Sequence, residues 1–129
     1  MRIYISARYG RRLEMRRVAA KLRKMGHEVT STWVDSTAKD GAELSDIGAT
    51  AIAINEMNEL AGSSALVLFT ERFPKRLPDS GGHDVELGAA IGSRKLIYRV
   101  GPRENLFHKH PVVRCVPSKA ALYRLLSKS

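Results

Sequence analysis

The stretch Ser64-Ala-Leu-Val-Leu-Phe-Thr70 decides the fold class, because it is almost continuously apolar. A short apolar run of this kind is typical of a central strand that is covered on both faces of a parallel sheet. Runs rich in β-branched and aromatic residues predict four further strands. These four lie at residues 2–6, 27–33, 95–100 and 112–116.

Helical patterns occupy the stretches between the predicted strands. A second helix is expected to start near Asp40 or Ser45, a third spans from about His83 to Gly92, and a fourth follows Ser118 as its N-terminal cap. The first and second predicted helices each have an apolar stripe that is expected to be buried. The first stripe is Met15, Val18, Ala19, Leu22 and Met25, and the second is Leu44, Ile47, Ala51, Ile54 and Ala61. Glu56 is expected to point away from the second stripe.

Alternating strands and helices predict one α/β domain over residues 1–129, a doubly wound three-layer sandwich around a five-stranded parallel sheet. Ligands of such sheets bind at the carboxyl ends of the strands. The segments expected at those ends are 6–10, 33–35, 70–86 and 101–110. Ser6 therefore becomes a candidate for substrate binding.

The segment Leu77-Pro-Asp-Ser-Gly-Gly-His-Asp-Val-Glu-Leu-Gly88 combines turn residues, acids and a helix start at that edge. Glu86 is expected in the first helical turn, where the helix dipole favours the ionised carboxylate. An ionised, positioned carboxylate can act as a nucleophile. The alternative interpretation is that Glu86 is simply an acid at a helix N-terminus.

Other groupings of reactive residues carry less weight. Ser80, His83 and Asp84 do not form a hydrolase triad, since no Gly-x-Ser-x-Gly turn is present. The histidines at 83, 108 and 110 are better explained as polar residues at the protein surface than as metal ligands. No glycine-rich nucleotide loop follows the first strand. No metal and no cofactor are therefore expected, and Trp33 remains open as either a core residue or a platform for stacking a base.

The composition is that of a soluble globular protein, with 43% hydrophobic and 27% charged residues. No segment is long and apolar enough for a membrane span, and the single cysteine, Cys115, fits a reducing compartment, so a cytoplasmic location is expected. The net charge of +9 raises the possibility of nucleic-acid binding. The densest cations follow one helix, where they can be its solvated face, so a nucleic-acid partner is considered unlikely.

Four segments, in this order, resemble the nucleoside 2-deoxyribosyltransferase-like proteins, a group that includes nucleoside 5′-monophosphate N-glycosidases. The segments are Ile3-Tyr-Ile-Ser6, Gly26-His-Glu-Val-Thr-Ser-Thr-Trp33, Gly81-Gly-His-Asp-Val-Glu-Leu-Gly88 and Val100-Gly-Pro-Arg-Glu-Asn-Leu-Phe-His108. The resemblance implies a flavodoxin-like sandwich, a small-molecule nucleoside or nucleotide as partner, and a homodimer or higher homo-oligomer.

The same resemblance implies roles for individual residues. Glu86 matches the glutamate that attacks the anomeric carbon of the sugar, and Tyr4 matches a tyrosine beside it. Glu56 stands where the family often carries an aspartate that assists departure of the base, whereas Ser64 replaces another common aspartate. Ser80 matches a serine that contacts the 5′-phosphate, and Asp79 or Asp84 loosely matches an acid before the catalytic segment. The Gly81 and Gly82 amides and the Arg8 side chain suit the same phosphate. These residues complete the expected substrate contacts. They are Arg8, Asp79, Ser80, Gly81, Gly82 and Asp84.

Three hypotheses follow from the sequence. The favoured one is cleavage of an N-glycosidic bond through Glu86, with transfer of the sugar to water or to another base. A second is a nucleotide-binding or sensing module of the same fold without turnover, and the third is a nucleic-acid-binding protein.

Overall fold

The computed structural model describes residues 1–36, 46–72 and 82–127, with the backbone alone at 46 and 47. Five strands form one sheet in which every neighbouring pair is parallel. Their order is β2-β1-β3-β4-β5. The strands are β1 (Arg2–Ser6), β2 (Glu28–Val29), β3 (Ala65–Phe69), β4 (Leu96–Val100) and β5 (Val113–Val116).

Four α-helices of the described residues cover both faces of the sheet, which confirms the predicted doubly wound sandwich. They are α1 (Arg12–Lys24), α2 (Asp46–Ala61), α3 (Gly82–Gly92) and α4 (Lys119–Leu126). The core has two parts: residues of α1 and α4 pack on one face of the sheet, and residues of α2 and α3 on the other. None of the described helices is long and apolar enough to cross a bilayer.

Strand β1 supplies side chains to both halves of the core. Successive residues of a strand point to opposite faces, and accordingly Ile3 and Ile5 join the α1 and α4 side whereas Tyr4 joins the α2 and α3 side. Ser6 follows the same alternation as Tyr4. The last residue of β1 therefore faces the layer that contains α2 and α3.

The predicted second strand, 27–33, is largely wrong, because β2 pairs with β1 over two residues only. Beyond it, side chains satisfy the edge of β1: the Ile5 amide donates to Ser31 Oγ at 3.0 Å, and the Trp33 indole donates to the Ile5 carbonyl at 2.7 Å. A 3-10 helix, Thr32–Asp35, takes the place of the strand. Backbone pairing ends where these side chains provide the same hydrogen bonds.

The stripe predicted for α2 is also wrong in the part that can be compared. Ala51, Ile54 and Ala61 are exposed, whereas Leu60 is buried and Met57 is half-buried. Since apolar residues occur on all sides of this helix, their spacing does not select one face. Its expected start near residues 40–45 and the side chain of residue 47 lie outside the described part of the chain.

The stripe predicted for α1 is confirmed, with Met15, Val18, Ala19 and Leu22 buried.

Candidate active site

Helix α3 presents two polar side chains to the interior. His83, Glu86, Leu87 and Ala90 are buried and recur at i, i+3, i+4 and i+7, the spacing of one helical face. The Ser6 hydroxyl, at the carboxyl end of β1, donates to Glu86 Oε1 at 2.8 Å. This contact lies where the chain order of the sheet reverses between β1 and β3, which is the usual ligand position in such folds.

Glu86 is buried, and the expectation that Glu86 lies in the first turn of α3 is wrong. It is the fifth residue of α3, and only 7% of its surface is exposed. Burial raises the pKa of the Glu86 carboxyl, and the hydroxyls of Tyr4 and Ser6 oppose that shift. The predicted dipole effect therefore does not dominate, because desolvation disfavours a buried charge more strongly. The preceding residue, Val85, is 64% exposed.

Tyr4 lies beside Glu86, beneath α2 and α3. The ring is fully buried, and among the described residues neither Tyr4 Oη nor Glu86 Oε2 has a hydrogen-bond partner. Burial, followed by the negative charge of Glu86, raises the pKa of the Tyr4 hydroxyl. The hydroxyl therefore keeps its proton and can donate it to an oxygen placed beside Glu86.

A second carboxyl reaches this site from α2. Glu56 is half-buried, and burial together with the charges of Glu86 and Glu59 raises its pKa to about 7. Its expected position away from the buried side of α2 is thus wrong. Glu59 is held elsewhere, because its carboxylate accepts hydrogen bonds from the amide and hydroxyl of Thr32.

Trp33 lies between the two halves of the core. It packs against both, and its indole group is anchored on the Ile5 carbonyl. The Tyr9 ring is tilted against it with centroids 6.2 Å apart, and the Tyr9 hydroxyl donates to Ser36 Oγ at 2.8 Å. An aromatic pair therefore follows the carboxyl ends of β1 and β2. Its packing supports the interpretation of Trp33 as a core residue, and a role in stacking a base stays a prediction.

Arg8 follows β1, and its side chain lies close to a carboxylate of the protein. Its Nε lies 3.5 Å from Glu71 Oε1, and Arg11 Nη1 lies 3.4 Å from the same oxygen. Arg11 also pairs with Glu14 at 2.8 Å. Two guanidinium groups and a carboxylate thus occupy the carboxyl ends of β1 and β3.

Next to Glu86 lies a buried pair of side chains that was not predicted from the sequence. His83 Nε2 lies 2.8 Å from Glu104 Oε1, and the two side chains are 1% and 3% exposed. Asp84, in contrast, is half-exposed and accepts a hydrogen bond from Asn105 at 3.0 Å. The burial of His83 could have been predicted, because the helical period places His83 on the same face of α3 as Leu87 and Ala90.

Three of the expected substrate contacts, Asp79, Ser80 and Gly81, lie outside the described residues. Gly82 is the first residue of α3. Within residues 1–36, 46–72 and 82–127, no three His, Cys, Asp or Glu side chains are grouped as metal ligands would be.

The architecture and this edge of the sheet define a flavodoxin-like α/β protein with a buried glutamate at its topological switch point. No protein-family model matches the chain, and no curated protein matches its sequence. Solved structures do share the fold. One is CMP N-glycosidase BcmB from Clostridium botulinum, 16% identical over 100% of both chains with a TM-score of 0.62.

Two further structures resemble the chain along most of its length. A conserved protein from Enterococcus faecalis V583 is 13% identical over 99% of this chain and 98% of its own, with a TM-score of 0.72. The 2-deoxyribosyltransferase of Bacillus psychrosaccharolyticus is 17% identical over 82% of this chain and 76% of its own, with a TM-score of 0.59. The fold implied by the sequence resemblance is therefore confirmed.

Proposed function

We propose that this protein cleaves the N-glycosidic bond of a nucleoside or nucleoside 5′-monophosphate, with Glu86 as the nucleophile. The observation that carries the proposal is the buried Glu86 carboxylate, hydrogen-bonded by Ser6 at the switch point of the sheet. Two structural neighbours, a CMP N-glycosidase and a 2-deoxyribosyltransferase, carry out chemistry of this class. They support an enzyme of the nucleoside 2-deoxyribosyltransferase-like group.

In the first step, the ionised Glu86 carboxylate attacks the anomeric carbon as the bond from that carbon to the base breaks. Ser6 holds Oε1, so Oε2 is the oxygen that remains to form the new bond. Glu56, with its pKa raised to about 7, retains its proton in neutral solution often enough to protonate the departing base. The Tyr4 hydroxyl adjoins Glu86 and can donate a hydrogen bond to the sugar.

In the second step, a nucleophile displaces Glu86 from the anomeric carbon, and Glu56 takes up the proton that the nucleophile loses. Two displacements on one carbon retain its configuration. Water as the second nucleophile gives hydrolysis, whereas another base gives transfer. Both outcomes are compatible with the described residues.

A phosphorylated substrate would be recognised through Arg8 and Arg11, whose guanidinium groups lie at the carboxyl ends of β1 and β3. A 5′-phosphate could compete with Glu71 for these guanidinium groups, since arginine binds phosphate through charge-assisted hydrogen bonds. Gly82 begins α3, and the first N–H groups of a helix have no acceptor within the helix, so anions bind well there. We assign Ser80 and Gly81 to the same phosphate from the sequence resemblance, and Asp79 and Asp84 to the remainder of the substrate.

We also propose that the protein forms a homodimer or higher homo-oligomer. Ile54 on α2 and Val85 on α3 are 57% and 64% exposed, and exposed apolar side chains can mark a surface that another subunit covers. Light scattering after gel filtration should give a mass at least twice that of one chain. A monomer at micromolar concentration would contradict the proposal.

The function is tested by incubating the purified protein with nucleosides and their 5′-monophosphates, with and without an acceptor base. Free base formed without an acceptor indicates a hydrolase, and a new nucleoside formed only with acceptor indicates a transferase. A substrate carrying fluorine at C2′ should leave a sugar on Glu86, detectable by mass spectrometry of the peptide. Binding without turnover of any compound would instead support a nucleotide sensor.

The matched variants are Glu86→Gln, which keeps the shape of the side chain, and Glu28→Gln, which alters an exposed carboxylate in a surface pair with Arg2. Turnover and the sugar adduct should both disappear in Glu86→Gln and persist in Glu28→Gln. Undiminished activity of Glu86→Gln would exclude Glu86 as the nucleophile.

A further inference from the structure

Glu104, in the segment after β4, joins three parts of the chain through one buried residue. Its Oε2 accepts the backbone N–H of Glu71, just beyond β3, at 2.8 Å. Its Oε1 lies 2.8 Å from His83 Nε2 near the start of α3. Its own backbone N–H donates to His108 Nδ1 at 3.1 Å. The ends of β3 and β4 are thereby tied to the helix that carries Glu86.

This link is also electrostatic. A buried carboxylate is stable only with a compensating partner, and among the described residues His83 is the basic side chain that pairs with Glu104. A protonated imidazole would satisfy that requirement, with Nε2–H directed at Glu104. The pair therefore brings a group that can carry positive charge into the interior of the protein.

His83 lies one helical turn before Glu86 on the same buried face of α3. Side chains three residues apart on a helix are neighbours, and a positive charge on His83 favours the ionised form of Glu86. Within the described parts of the chain, the other ionisable groups around His83 are Glu104 and His108, from the segment after β4, and Asp84, with Oδ1 at 4.0 Å, from its own helix.

We propose that Glu104 is a positioning residue for Glu86: it acts through His83, orients the first turns of α3, and extends to lower pH the range in which the Glu86 carboxylate is ionised. The inference rests on the proposed function of Glu86 as nucleophile, and it assigns to that site a pair of residues that control it without contacting the substrate.

The test is a carbon NMR titration of the Glu86 carboxyl in the wild-type protein and in Glu104→Gln. Glutamine still accepts the Glu71 amide but removes the charge opposite His83. Both charges of the pair should then be lost, and because His83 is the member that acts on Glu86, the Glu86 midpoint should rise, by up to about one pH unit. Glu104→Asp should restore most of the difference, and Glu28→Gln should leave the midpoint unchanged. An unchanged midpoint in Glu104→Gln overturns the proposal.

This titration needs no turnover, so it separates the inference from the proposed function. If the protein is an enzyme, kcat of Glu104→Gln should fall about ten-fold near the acid side of its profile, with little change in KM, and recover at higher pH. A merely structural role for Glu104 would lower the melting temperature and reduce activity equally at every pH, which would contradict the proposal.

The same titration of Glu86 in His83→Gln covers the case in which Glu104→Gln does not fold. Without the imidazole, which favours the ionised form of Glu86, the Glu86 midpoint should rise. A midpoint equal to that of the wild-type protein overturns the inference.

Discussion

At Glu86, burial opposes the ionised state that a nucleophile requires. The carboxyl is desolvated beneath α2, and its pKa is raised as a result. Hydroxyl groups that donate to the carboxylate reduce this cost, because they replace part of the lost hydration. The Ser6 hydroxyl forms such a hydrogen bond to Glu86 Oε1, at 2.8 Å. The last residue of β1 should therefore control how much of Glu86 is ionised.

Replacement of Ser6 by alanine tests this dependence. The Glu86 pKa should rise further, so the acid limb of the kcat/KM profile should move to higher pH, with about ten-fold or greater loss of activity below it. The pH profile of purified Ser6→Ala measures the shift. Ser93→Ala, which removes an exposed hydroxyl bonded to the Ala89 carbonyl, is the matched control. An acid limb that does not move would show that Ser6 does not stabilise the charge.

Glu56 makes a separate prediction for the other limb of the profile. Its pKa is raised to about 7, chiefly by burial and then by the charge of Glu86. Because the proposed acid must be protonated to release the base, activity should decline as the pH rises through about 7. The decline should be absent in Glu56→Gln, and weak for a substrate whose leaving group needs no proton. A limb that persists unchanged in Glu56→Gln would assign the acid to another group.

Several residues of the candidate site could be proposed from sequence, and the reason differs for each. Glu86 was found because it follows turn residues at a helix start, and Ser6 because it ends a recognisable strand. The burial of Glu86 was not found, since apolar spacing alone does not show which side of a short helix meets the core. Glu104 could not be found, because its contact with His83 joins residues 21 positions apart through the fold.

Among the elements, the short strand β2 shows how side chains can replace a strand. The sequence 27–33 has strand-forming residues, yet pairing ends where Ser31 and Trp33 supply hydrogen bonds to the two backbone groups of Ile5. Local propensity cannot anticipate this exchange, because it depends on which groups the neighbouring strand leaves unpaired. The prediction for α1 succeeded because its apolar residues lie on one face only.

The hydrogen bond from Trp33 to the Ile5 carbonyl is expected to stabilise the folded protein. Trp33→Phe keeps an aromatic ring but removes the donor 2.7 Å from the Ile5 carbonyl. The free energy of unfolding should fall by about 1–3 kcal/mol, the cost of leaving a buried acceptor unpaired. Urea denaturation measures the change. Tyr9→Phe, which loses a part-buried hydroxyl contact with Ser36, should cost less, and equal losses would contradict this role of Trp33.

For the whole molecule, the net charge of +9 is a weaker guide than it first suggests. Arg16 and Arg23 both pair with Asp35 at 3.7 and 3.9 Å, and Arg11 pairs with Glu14 and Glu71. Part of the arginine-rich α1 is thus committed to contacts within the protein. Charge composition could not reveal this, because it contains no information on which acids the fold brings to the helix.

The raised pKa values of the site also predict how the stability of the whole molecule varies with pH. Glu56 titrates near 4.5 when unfolded but near 7 when folded, so the folded protein binds this proton more tightly. Its stabilising contribution is complete below about pH 4.5 and is lost as the pH rises through about 7. Burial of Glu86 acts in the same direction. The lowered pKa of Glu14 has the opposite effect, but below pH 4.5. The lowered pKa of His108 also acts in the opposite direction, up to its ordinary value of 6.5.

Urea denaturation at a series of pH values should therefore show that Glu56 makes the slope of the free energy of unfolding against pH more negative between pH 4.5 and about 7. Glu56→Gln should flatten this slope, because the residue no longer gains a charge as the pH rises. Glu28→Gln, an exposed site paired with Arg2, should keep the wild-type slope. A slope that remains equally steep in Glu56→Gln would mean that Glu56 is not the carboxyl whose proton links the site to folding.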